Sequence, residues 1–313
     1  MDYVRLGREG PQVSPIGIGM WQAGGDAWGK DVRDRDCVAA MRRGVELGLN
    51  LVDTAELYGK GGHSEEVVAK GIEAVGREAV VVATKLAGYH GRSHDVEKAC
   101  RGSLRRLGIR EIDVYQVHWP DPWDQVPLRD TMKALERLER SGQIRHIGVS
   151  NFAVRDLEDA RSHLSRTDIV SNQVRYNLLQ REIEAEVLPY CKRERIGILA
   201  WSPLGKGVLT GKYGAGRRPK DRVRQEEDLF KPVNLRRAAR LVAALRRIGR
   251  AHGKTPAQVA LAWLRTRSIV VPIPGVKRPA QAEENAGAAR WSLPSVERNR
   301  LDHLSAGIRL DTF

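Results

Sequence analysis

The feature that most restricts how this chain can fold is an alternation repeated along its length: short apolar, β-rich runs separated by longer amphipathic stretches. Residues 16–20, 51–53, 80–84, 113–117, 144–149, 169–173, 196–201 and 269–273 read as strands. Runs this short, dominated by Val and Ile, suit strands buried on both faces, as in a parallel sheet. The intervening segments carry helical signals. Ser93 is a candidate N-cap for a helix ending at Leu107-Gly108, and residues 127–141 place Leu128, Met132, Leu135 and Leu138 at helical spacing before Gly142. Eight such units without a break in composition predict a closed (β/α)8 TIM barrel, one domain over residues 1–313, in preference to an open sheet. Residues 3–6 and 12–14, flanking 7–11, predict a small β-hairpin capping the barrel floor, and residues 295–304 a further helix. Residues 211–234 are long for a barrel connection and rich in Gly, Pro and charge, which predicts a lid or a disordered insert.

Composition excludes several classes. Apolar content of 41% and charged content of 29% describe a globular chain with a sizeable core. The longest apolar runs are far short of a membrane span, and Met1-Asp2-Tyr3-Val4-Arg5 carries charge where a secretory segment needs apolar residues. A cytoplasmic protein without membrane contact is expected. Cys37, Cys100 and Cys191 are too few and too scattered for a disulfide framework or a zinc site. The net charge of +14 raises a nucleic-acid partner, because counterion release rewards a basic face. Yet the basic pairs (Arg42-Arg43, Arg105-Arg106, Arg217-Arg218, Arg236-Arg237, Arg246-Arg247) are dispersed, with no basic tail. The expectation is a solvated arginine-rich surface and no nucleic acid, with some attraction for anionic ligands.

Familiar cofactor fingerprints are missing. Gly17-Ile-Gly19, Gly59-Lys-Gly61 and Gly205-Lys-Gly207 each lack the third glycine of a Rossmann loop, and no tyrosine is followed four residues on by lysine. His90 and His94 have the spacing of a metal pair, but Gly91 and Ser93 between them favour a loop, and no metal is expected.

The informative residues sit at strand ends, where a barrel presents its functional rim. Strand two ends in Asp53, with Tyr58 just beyond; strand three runs into Lys85; strand four runs into His118-Trp119. Singly, Asp53 could cap a loop, Lys85 reach solvent and His118 satisfy the rim. Together on consecutive strands they suggest one chemical group. A tyrosine with pKa about 10 is a poor acid near neutrality. A lysine ammonium about 4 Å away, at an effective dielectric of about 20, contributes roughly 4 kcal/mol and could lower that pKa by up to about three units before burial is counted. Asp53 would keep the lysine charged, and the histidine would orient a substrate oxygen or relay the proton. Such a site polarises a carbonyl and needs a hydride from elsewhere.

Asp53-Thr-Ala-x-x-Tyr58-Gly, the strand-ending Lys85, Val117-His118-Trp119-Pro120 and Gly148-Val-Ser-Asn151-Phe resemble the aldo-keto reductases, in order and spacing, from about Val4 to Asn285. The resemblance implies a (β/α)8 barrel with NADPH across its C-terminal mouth and an aldehyde or ketone as substrate. Tyr58 would be the general acid, Lys85 and Asp53 its tuning pair, and His118 the orienting residue. It assigns cofactor contacts to Met20, Trp21 and Asp53, and the nicotinamide to Ser150, Asn151, Gln173 and Trp201, with Trp201 stacking where many relatives carry tyrosine. Ser202, Leu204 and Gly205 fall where backbone approaches the pyrophosphate. Gly275, Lys277, Arg278, Gln281, Glu284 and Asn285 fall at the adenosine end, with Lys277 and Arg278 on the 2′-phosphate ahead of a helix beginning at Pro279. Trp21, Trp119 and Trp123 would wall the substrate pocket, shaped by residues 119–127, 211–234 and the tail to Phe313. Two other readings remain at this level: a Schiff-base aldolase built on Lys85, and an NADPH-holding redox sensor like the potassium-channel β subunits that resemble this family.

Overall fold

The computed structural model describes residues 1–312 other than Lys30, Pro122, Asp124 and Ala215; Pro122, Asp124, Ala215 and Phe313, which fall in the expected substrate loops and tail, lie outside the description with Lys30. Strands β1 (Val4–Arg5) and β2 (Gln12–Val13) form an antiparallel hairpin. Eight parallel strands follow: β3 (Ile18–Gly19), β4 (Leu51–Asp53), β5 (Val81–Leu86), β6 (Ile112–Val117), β7 (Ile144–Ser150), β8 (Ile169–Arg175), β9 (Gly197–Trp201) and β10 (Val270–Pro272), paired in chain order. The helices are α1 (Asp34–Glu46), α2 (His63–Val75), α3 (Ser93–Leu107), α4 (Leu128–Arg140), α5 (Val154–Ser162), α6 (Val187–Glu194), α7 (Arg222–Gln225), α8 (Pro232–Ala251), α9 (Pro256–Arg265), α10 (Pro279–Ala289) and α11 (Ser295–Ala306).

The sheet closes between β3 and β10. Gly17 N donates to Pro272 O at 2.9 Å, Gly19 N to Pro274 O at 3.0 Å, and Gly19 bridges Gly275 in parallel. A Cβ on Gly19 would stand 2.9 Å from the Ile273 carbonyl, so the seam needs glycine there. Both seam strands are shorter than expected because their pairing reduces to a few backbone bonds. Outside, α10 packs against α1, which completes the helical layer, while α8 packs on α9 and α11.

Period-two alternation sorts the barrel interior into layers. Leu51, Ala83, Val114, Leu199 and Val271 fill its lower part, plugged from below by Leu6 and Val13 of the hairpin. Two residues further along β4, β5 and β6 the inward positions become Asp53, Lys85 and Gln116. Val52, Val82 and Tyr115 belong instead to the cluster between strands and helices.

Some local expectations are corrected. Ser93 opens α3 without capping it; its hydroxyl accepts from Arg137 instead. Within 211–234 the described residues are not a bare loop: Asp221 caps α7, a short turn follows at Asp228–Phe230, and α8 already starts at Pro232. Among the described residues no helix is long and apolar enough to cross a membrane.

Candidate active site

At the top of the barrel Lys85 is fully buried, and its ammonium uses all three donors. Nζ donates to Asp53 Oδ1 at 2.7 Å, to the Thr54 carbonyl at 2.8 Å and to Tyr58 Oη at 3.1 Å. Asp53, also buried, accepts on its other oxygen from Gln173 Nε2 at 2.7 Å and Gln116 Nε2 at 3.4 Å. Burial pushes the Lys85 pKa down, but the Asp53 carboxylate and Tyr58 outweigh it and hold the ammonium above its ordinary value. For Tyr58 the balance goes the other way. Burial of the phenol, reinforced by Asp53, exceeds the pull of Lys85 and raises its pKa. The expected acidification by lysine is real in sign but smaller than the cost of burying a phenolate.

Above this floor the rings interlock. Tyr58 stacks on Trp21 at 5.8 Å between centroids and meets the edge of His118 at 5.6 Å; His118 lies 4.5 Å from Trp119. Burial, then the Lys85 charge, pushes the His118 pKa down to about 2, so its ring is neutral in any physiological buffer. Asn151 ties three strand ends together: its side chain donates to the His118 carbonyl at 3.0 Å and accepts from the Trp201 indole at 3.0 Å. It does so from a left-handed backbone conformation (φ 60°), which asparagine tolerates better than most residues.

These groups open into a cavity of about 410 Å³. Of the residues expected on sequence grounds, Trp21, Asp53, Tyr58, His118, Trp119, Ser150, Asn151, Gln173, Trp201, Ser202, Leu204, Gly275, Gln281 and Glu284 line it. Others do not reach its wall. Met20 is core, its carbonyl accepting from Ser64 at 2.8 Å, and Gly205 and Asn285 are buried behind the surface. Lys277 bonds the Trp28 carbonyl at 2.8 Å, and Arg278 stands exposed with Asp31 at 3.2 Å. Trp123 is not a pocket wall: it is 64% exposed, beyond the lip. His90 is held by Glu56 at 2.8 Å, while His94 is exposed beside Asp95.

The structure adds residues that sequence reasoning missed. Lys206, Lys212, Tyr213 and Arg224 line the cavity from the segment after β9, facing Gln22 and Trp28 from the segment after β3. The Arg224 guanidinium lies 4.9 Å from the Trp28 ring and donates to the Lys206 carbonyl at 2.7 Å; Lys206 in turn pairs with Glu227 and lies 5.0 Å from the Trp21 ring. Lys277 is pushed down from its ordinary pKa by burial and then by Arg224, with Lys212 adding to the crowding. Cations therefore converge at one end of the cavity, as an anionic ligand requires. Gln22, Trp28 and His118 each carry a buried polar atom without a partner (Oε1, Nε1 and Nδ1). The unusual length of residues 211–234 was a signal for Lys212 and Arg224; Lys206 lies before that segment and had none.

Comparison with known proteins agrees with this geometry. Residues 15–306 match the family model described as the aldo/keto reductase family. An uncharacterised oxidoreductase of Mycobacterium tuberculosis is 39% identical over 304 residues, spanning 95% of this chain and 91% of the relative. A glycerol dehydrogenase of Gluconobacter oxydans superposes with a TM-score of 0.87 at 29% identity, covering 100% of this chain and 98% of that one. An aldo-keto reductase of Klebsiella pneumoniae, crystallised with NADPH, gives 0.76 at 31% identity, with 100% and 99% covered. With the matched region running from the hairpin's end to the last helix, and the barrel shared with these enzymes, this chain belongs to the aldo/keto reductase family.

Proposed function

We propose that this chain reduces aldehydes or ketones to alcohols with NADPH, and that Tyr58 is the general acid. The observation that carries the reading is a single buried ammonium, Lys85 Nζ, bonded at once to Asp53 and to the Tyr58 hydroxyl. The cavity suits the cofactor: its wall offers the amides of Asn151 and Gln173, the Trp201 ring, and the cluster of Lys206, Lys212 and Arg224 for phosphate. The Klebsiella relative was crystallised with the same cofactor. When bound, the nicotinamide supplies a hydride at its C4.

The residues of this chain do the rest. The Tyr58 hydroxyl donates its proton to the carbonyl oxygen as charge develops there. The phenolate left behind lies 3.1 Å from the Lys85 ammonium. At an effective dielectric of about 20 that attraction is on the order of 5 kcal/mol, and it exists only once the proton has left, so it favours the transition state over the ground state. Asp53 keeps the lysine charged and fixed. A neutral His118 can orient the carbonyl oxygen by donating an N–H, but holds no cationic proton to deliver. A Schiff-base role for Lys85 is disfavoured, since its amine is protonated and fully hydrogen-bonded.

The test is NADPH oxidation across a panel of aldehydes and ketones, for the wild type and Tyr58→Phe. The variant is expected to bind NADPH within about threefold of wild type while kcat falls by roughly 10²–10⁴-fold. Turnover by Tyr58→Phe at the wild-type rate removes the role given to the phenol. Tight NADPH binding with no turnover of any carbonyl by the wild type favours the redox-sensor reading.

A further inference from the structure

We propose that the outer face of α8 docks the phosphate backbone of a nucleic-acid duplex, without regard to base sequence. The inference is independent of the reaction above. It reverses the expectation of dispersed charge, and the reason is helical geometry. Two of the five basic pairs, Arg236-Arg237 and Arg246-Arg247, lie on one helix. Eleven residues are about three turns, so Arg236 and Arg247 share a face.

Every exposed residue between Arg236 and Arg250 on this helix is arginine or alanine: Arg236, Arg237, Ala239, Arg240, Ala243, Arg246, Arg247 and Arg250. The helix contains no Asp or Glu, and among the described residues none of its six arginines has a carboxylate within ion-pair distance. Arg237 and Arg246 donate to the carbonyls of Arg309 and Gly211, each at 2.7 Å. The other four fall within an arc of about 80° and span about 21 Å along the axis. Neighbouring elements supply no counter-charge from Glu297, Asp302 or Asp228, which pair with His252, with Arg181 and Arg267, and with Lys231. Elsewhere the arrangement differs: on α1, Arg42 and Arg43 are answered by Glu46, and on α3, Arg106 is answered by Glu65. Like charges at i,i+3 and i,i+4, as in Arg236/Arg240, Arg246/Arg250 and Arg247/Arg250, destabilise a helix. An external polyanion relieves that repulsion.

The chemistry of the face selects among polyanions. Guanidinium groups bind phosphate through paired N–H donors. Between the arginines stand only Ala239 and Ala243, so the face has no large apolar side chain to insert into a membrane and no aromatic ring to stack on unpaired bases. The opposite face of α8 is buried against α9 and α11, so the helix can lie along a duplex but cannot enter its groove whole.

The experiment is fluorescence anisotropy of a labelled mixed-sequence 20-base-pair duplex titrated with the full chain from 50 to 200 mM NaCl. Four phosphate contacts predict a log–log salt slope of about −3.6, a loss of roughly 150-fold over that range. The fourfold variant Arg236→Gln, Arg240→Gln, Arg247→Gln, Arg250→Gln is expected to weaken binding at least about thirtyfold at 50 mM NaCl. A charge-matched control, Arg105→Gln, Arg110→Gln, Arg129→Gln, Arg140→Gln, is expected to stay within about threefold; these four are also exposed. All eight positions face solvent, and thermal melts check that both variants fold. Equal losses in both would mean net charge alone binds the duplex and would overturn the proposal. So would absent binding, or a preference for phosphatidylglycerol vesicles over the duplex.

Discussion

Tyr58 and Lys85 show how a residue's role follows from competition between burial and charge. Because burial wins at Tyr58, the acid stays protonated well past neutrality. A general acid loses activity as it deprotonates, so kcat/KM for carbonyl reduction should hold flat through neutral pH and fall only above tyrosine's ordinary value. His118, titrating near 2, adds no limb between pH 5 and 8. In Lys85→Met the cation that opposes burial is gone, so the alkaline limb should move up while the rate drops. A limb moving down would contradict the proposed electrostatics. Outside the cavity wall, Arg278 is paired among the described residues with the exposed Asp31, a partner it can exchange for a 2′-phosphate. Arg278→Ala should raise KM for NADPH roughly tenfold more than KM for NADH. Equal effects would remove Arg278 from cofactor choice.

The strands of this barrel do two jobs at different heights. Their lower inward positions are apolar, and their upper ones carry the chemistry. Leu199 in β9 is fully buried in the lower layer beside Leu51 and Val114. Leu199→Ala leaves a cavity that neighbouring strands cannot close, at a cost of about 2–5 kcal/mol in denaturant unfolding. Its position below the site predicts a smaller effect on KM than on stability. Strand identity was legible because apolar runs and glycine stops are local signals; β4 was read to the residue. The end of β5 was not, because Leu86 continues the strand only when β6 is there to pair with it. The segment between β9 and α8 was legible as unusual and illegible as a wall of cations, since Arg224 gains meaning only beside Trp28.

For the whole molecule, closure is the decisive property. The Gly19–Gly275 seam and the hairpin plug make every strand depend on its neighbours, so the chain is proposed to unfold as one domain. Tryptophan fluorescence and far-UV circular dichroism should report one coincident transition, and two separated transitions would contradict a single cooperative unit. Charge at this scale is uneven: among the described residues, carboxylates answer arginines on α1 and α3 and leave the solvent face of α8 unanswered.

The sequence by itself determined the barrel, its eight strands and the placing of Asp53, Tyr58, Lys85 and His118 on one rim, because short apolar runs and strand-end polarity are properties of neighbouring residues. Tertiary structure decided what depends on groups distant along the chain. It fixed the direction of the Tyr58 shift, which is a sum over buried surroundings, and the cationic end of the cavity, where the segment after β9 meets Trp28 of the segment after β3. Folding of α8 also aligned its arginines, since only a helix turns a spacing of eleven into a shared face.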